Sequence, residues 1–126
     1  MADDRAAVGR MSAEFTTEAL RLMRERCGGL CEVQWSRVCQ GSGSQLVGHH
    51  RRPRGSGGTK RHPSRLAANG LMACSWCHTF LETGERGEAR ELGFIVDQNQ
   101  EPAEVAVFYR HEQRVLLCDD GSVVAA

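Results

Sequence analysis

Two thiols and an imidazole stand in one short run, Cys74-Ser-Trp-Cys-His78, downstream of a paired His49-His50. Cysteines separated by two residues can both reach one tetrahedral ion at about 2.3 Å. The imidazole beside them, with the histidine pair, can serve a second and harder ion. The combination points to a structural zinc next to a hydrolytic metal centre.

A four-thiolate site needs a second half from upstream. Cys27, Cys31 and Cys39 are the candidates. Spacing favours Cys27-x3-Cys31, a compact knuckle, although a hairpin would bring Cys31-x7-Cys39 equally close. Cys118 stands alone in a β-like stretch and reads as a small core residue. A redox role for Cys74 and Cys77 lacks the βαβ context such a motif needs.

The net charge of zero hides a segregated pattern. Residues 33–81 contain no Asp or Glu, and they carry Arg37, Arg51, Arg52, Arg54, Lys60, Arg61 and Arg65. A basic middle flanked by acids suits a polyanion such as DNA. The 126 residues are enough for one domain with a modest core, thinned by fourteen glycines. Bound metal would help hold such a fold. The chain opens on polar and charged residues, and no apolar run reaches membrane-spanning length. No membrane role is expected. Six cysteines without a secretory segment read as metal ligands in a reducing, cytoplasmic compartment.

These side chains need elements to carry them. Residues 1–11 read as disordered. Residues 12–26 have Phe15, Ala19, Leu22 and Met23 at helical spacing, with Ser12 or Thr16 as cap and Gly28-Gly29 as stop. Residues 31–35 and 45–50 look extended. Residues 51–65, rich in Gly and Pro, form a long loop. A helix is expected over 75–83 and another over 85–92, stopped by Gly93. Residues 94–96, 105–109 and 114–117 have strand character, and Asp119-Asp-Gly121 reads as a turn.

In combination, several motifs resemble the HNH endonucleases, the ββα-metal (His-Me finger) nucleases. The likeness is to small members from phages and prophages of actinobacteria. The matching residues are Cys31-Glu32, Cys39, Gly48-His-His-Arg-Arg-Pro-Arg-Gly-Ser-Gly-Gly58, Asn69-Gly-Leu71, Cys74-Ser-Trp-Cys-His78, Glu88-Ala-Arg-Glu-Leu-Gly93 and Val115-Leu-Leu-Cys-Asp-Asp-Gly121. The resemblance implies an α+β fold: a small ββα-metal nuclease core with a structural thiolate zinc, an N-terminal helix and a short C-terminal β extension. The nuclease domain with its helix would span 12–96, and the β-rich extension 97–126 would pack on it.

The resemblance also assigns roles. His50 matches the general base, and Asn69 the residue that orients it. His49 and His78 match the ligands of a catalytic divalent ion, which could be Mg²⁺, Mn²⁺, Ni²⁺ or Zn²⁺. Structural zinc falls on Cys31, Cys39, Cys74 and Cys77, with Cys27 in reserve. Arg51, Arg52, Arg54, Lys60, Arg61 and Arg65 would contact DNA, and the three arginines after the base could grip flanking phosphates. The implied activity is metal-dependent phosphodiester hydrolysis. It would be linked to the phage terminase large subunit and genome packaging, in the cytoplasm of a bacterial host. The competing reading is a non-catalytic, zinc-stabilised DNA-binding or packaging-adaptor protein.

Overall fold

The computed structural model describes residues 14–35, 38–39, 45–53 and 62–126, without the side chain of His62. The stretch expected to be disordered, 1–11, lies outside these residues, as do Arg54, Lys60 and Arg61. The architecture is α+β, with short helices and two antiparallel sheets.

Helix α1 spans Thr17–Cys27. Thr16 caps it, its Oγ1 accepting the Ala19 amide at 2.9 Å, and Gly28 closes it at φ 59°. Ala19, Met23 and Cys27 recur every fourth position and form its buried face. That face lies on the first sheet, where β1 (Leu46–His50) pairs with β2 (Gly70–Cys74) in the register Leu46↔Cys74 to His50↔Gly70. The close approach uses Gly70, where a Cβ would displace the Met23 tip and the Phe15 ring.

β2, buried throughout, runs without a break into α2 (Ser75–Thr83). Helix α3 (Arg86–Glu91) follows, and Gly93 at φ 82° turns the chain where a Cβ would strike the Ala106 carbonyl. β3 (Val107–Tyr109), β4 (Gln113–Leu117) and β5 (Val123–Ala125) form the second sheet in that order. Val107, Val115 and Leu117 enter the same core as Val33, Leu71, Leu81 and Phe94. No helix among the described residues is long and apolar enough to cross a membrane.

Two expected strands are absent. Residues 31–35 wrap around a sulfur instead: the Gln34 amide donates to Cys31 Sγ at 3.4 Å, with Gln34 at φ 50°. Residues 94–96 are buried but extend no ladder. The Phe94 amide bonds the Ala89 carbonyl at 2.9 Å, and the Val96 amide bonds the Arg51 carbonyl at 2.7 Å. The third strand of the second sheet, β5, was not expected at all.

The largest correction concerns Arg51 and Arg52. Expected on a phosphate, both are fully buried. Arg51 donates from Nε to Gly93 (2.9 Å), from Nη1 to Ala68 (2.8 Å) and Pro102 (3.0 Å), and from Nη2 to Val105 (2.7 Å), all on backbone carbonyls. Arg52 donates from Nε to Ser64 Oγ (2.9 Å) and from Nη1 to the Gln100 carbonyl (2.6 Å). The cause is the irregular backbone around them. Carbonyls outside a ladder need donors, and a guanidinium supplies five in a fixed fork. Burial works against the charge on Arg51, and nearby Arg26 adds a smaller opposing contribution. The carbonyl shell opposes both.

Arg51→Met should therefore lower the unfolding free energy by about 3 kcal/mol or more, since it strands several buried acceptors. Urea denaturation measures this. Unchanged stability with weakened DNA binding would restore the phosphate-contact role.

Candidate functional site

Cys31, Cys39, Cys74 and Cys77 come together, their sulfurs all within 4.8 Å of one another. Cys74 Sγ and Cys39 Sγ are 4.0 Å apart. A tetrahedral ion with 2.3 Å bonds needs sulfurs about 3.8 Å apart, so the group is metal-sized. The four residues form a possible metal-binding site of the kind a structural zinc occupies. Cys27 is not among them. Its thiol lies against the Arg24 carbonyl at 3.4 Å, within the small core under α1. The compact Cys27–Cys31 knuckle is thus not formed. Helix α1 runs through Cys27, and its apolar stripe turns that side chain onto the sheet.

The local backbone favours thiolates. Cys74 N donates to Cys31 Sγ at 3.3 Å, and Cys77 N to Cys74 Sγ at 3.4 Å. The Cys31 thiol is pulled down to about 5, first by the Cys77 thiol and then, against burial, by the amides of Cys74, Gln34 and Val33. Cys77 moves the opposite way, held protonated by Cys31 and by burial. Thiolates gathered this way are the form that binds a metal cation.

The histidines meet across the sheet and α2. His49 points inward from β1 and is buried. Its Nε2 donates to the Phe94 carbonyl at 2.9 Å, which leaves Nδ1 as the lone-pair nitrogen. Burial pushes His49 down to about 4, so its neutral form is favoured. His78, on the first turns of α2, has its ring 5.6 Å from that of His49. Glu82 lies four residues further along the same helix, and its Oε2 is 3.8 Å from both His49 Nδ1 and His78 Nε2. The three donor atoms lie within 4.8 Å of one another and can hold one cation. Buried Nδ1 of His49 has no hydrogen-bond partner among the described residues.

His50 is the last residue of β1. Its ring stacks on Phe15 at 3.9 Å with the planes 8° apart. Both histidines, His78, Glu82, Glu14 and Arg86 line one cleft of about 470 Å³. Asn69 is buried at the end of the short 3₁₀ turn Ala67–Asn69. Its Oδ1 accepts the Arg52 amide at 2.7 Å, and its Nδ2 donates to the carbonyls of Ser64 (2.9 Å) and Arg52 (3.3 Å). The strand exit after His50 is therefore clamped. Arg65 is half-buried, with Nε on the Glu14 carbonyl at 3.0 Å.

Glu82, Phe15 and Arg86 escaped the sequence reading. Glu82 carried a signal, since positions four apart on a helix share a face. Phe15 carried none, because chain far from the motif brings it in, and Arg86 depends on the reversal that follows α2. His111 is structural, its Nδ1 on the Val33 carbonyl at 2.7 Å and its ring beside Trp35.

No family model, curated protein or solved structure matches this chain.

Purified protein should carry one tightly held zinc, measured by elemental analysis. Cys39→Ser should lose it and unfold at lower temperature, whereas Cys27→Ser should keep it. Loss of zinc from Cys27→Ser would contradict the ligand set.

Proposed function

We propose that this chain is a metal-dependent DNA endonuclease of the HNH, ββα-metal kind. One observation carries the reading: His49, His78 and Glu82 converge beside His50 in a single cleft, on a strand pair that leads directly into a helix. The order β1, β2, α2 is the arrangement the resemblance implies, with a thiolate site at the β2–α2 junction. A basic central sequence suits a polyanionic substrate.

His50 acts as general base. A neutral imidazole can take a proton from water near pH 7. Phe15 stacks on its ring and Asn69 clamps the strand exit after it, which restrains the base. A base displaced by 1 Å can lose about a hundredfold in rate. His49, fixed by the Phe94 carbonyl, offers Nδ1 with His78 and Glu82 as a cation-binding trio. A divalent ion held by these three side chains would supply Lewis-acid polarisation of the scissile phosphate and charge stabilisation for the leaving 3′-oxygen. Zinc on Cys31, Cys39, Cys74 and Cys77 would do no chemistry and would keep α2 against β2. In the biological setting that the resemblance implies, the enzyme works beside a phage terminase in the host cytoplasm.

Plasmid nicking with Mg²⁺, Mn²⁺ or Ni²⁺ tests this. His50→Ala should cut at least about a hundredfold more slowly while retaining its zinc. Wild type and His50→Ala that are equally inert with every metal would leave the non-catalytic DNA-binding reading.

A further inference from the structure

We propose that Arg86 is the cation that grips the non-bridging oxygens of the phosphodiester in the cleft. The inference rests on the nuclease reading and names the residue that receives its substrate. The arginines best placed by sequence for this task, Arg51 and Arg52, are directed into the interior. Among the described residues that line the cleft, Arg86 is the one arginine or lysine.

Its placement is built rather than incidental. Helix α2 ends at Gly84, whose amide bonds the Phe80 carbonyl at 2.7 Å; a Cβ there would come within 2.7 Å of the same oxygen. Arg86 N then bonds the Gly84 carbonyl at 2.9 Å. This tight reversal returns the chain to the cleft four residues after Glu82. Arg86 Nη1 is tethered to the Leu81 carbonyl at 3.1 Å. Nε and Nη2 have no partner among the described residues, and no carboxylate among them pairs with the guanidinium. A half-buried guanidinium, anchored at one nitrogen and open at two, is complementary to a tetrahedral anion with two exposed oxygens. The carboxylate of Glu82 is drawn to the cation trio instead. Metal and arginine would thus address different oxygens of one phosphate from neighbouring turns.

Two measurements on the full zinc-bound chain test this. In Mn²⁺-dependent plasmid cleavage, Arg86→Ala should lower kcat/KM by about a hundredfold and Arg86→Lys by about tenfold, because a point charge loses the bidentate geometry. Arg90→Ala, an equal charge loss on the same helix but outside the cleft, should stay within about twofold. The second readout needs no turnover. Phosphorus NMR of inorganic phosphate with Mn²⁺-loaded protein should show at least about tenfold weaker binding to Arg86→Ala, with Mn²⁺ affinity unchanged. Equal phosphate binding by wild type and Arg86→Ala overturns the proposal whether or not the protein cleaves DNA. Arg86-dependent phosphate binding without any cleavage by the wild type sinks the nuclease reading and leaves the anion site standing.

Discussion

Four sulfurs gathered within a 4.8 Å span impose the constraint on which the rest of the molecule depends. They come from the turn after α1, from the segment preceding β1 and from the β2–α2 junction, so one ion would tie three distant pieces of chain. Cys74 serves twice, as a sulfur of the cluster and as the cap of α2. The same junction sets the direction of α2, and α2 carries His78 and Glu82. A core with few large side chains would fix that direction weakly. Metal–thiolate bonds at this site would fix it more strongly than the packing of so small a domain.

Buried polar groups do similar work on the other side of the sheet. Arg51 and Arg52 fasten the irregular segment after α3 to the strand exit, through carbonyls that no ladder satisfies. Arg26 and Glu32 form a buried ion pair, with contacts at 2.7 and 2.8 Å, and Glu32 also accepts from Tyr109 Oη and the Met72 amide. These buried polar groups occupy volume that a larger apolar core would fill. Such networks make poor stabilisers if incomplete and strong locators if satisfied. Here they locate the strand exit after His50 and the backbone of β2 that pairs with it.

What was legible in the sequence follows local punctuation. The helix over 75–83 has its bounds as expected, because the cysteine cap and Gly84 mark both ends. Helix α1 ends at Gly28 for the same kind of reason. Strand β1 was visible as an extended run closed by the histidines. The turn at 31–35 was not legible, since its conformation follows from the cluster around Cys31 rather than from Val33 and Trp35, which look like strand residues. Spacing alone also favoured Cys27 over Cys39. Only the stripe on α1 accounts for its exclusion, and that stripe matters once its packing on β2 is known. The roles of Arg51 and Arg52 were illegible for the opposite reason: basic residues beside a candidate base suggest phosphate, and nothing local announces a bed of unpaired carbonyls 40 residues away.

The most direct test of this account is the X-ray absorption spectrum of the purified protein at the zinc edge. Four sulfur neighbours at about 2.3 Å are the predicted first shell. A shell with nitrogen or oxygen in place of any sulfur, or no zinc at all, would contradict the clamp and with it the placement of His78 and Glu82 opposite His49.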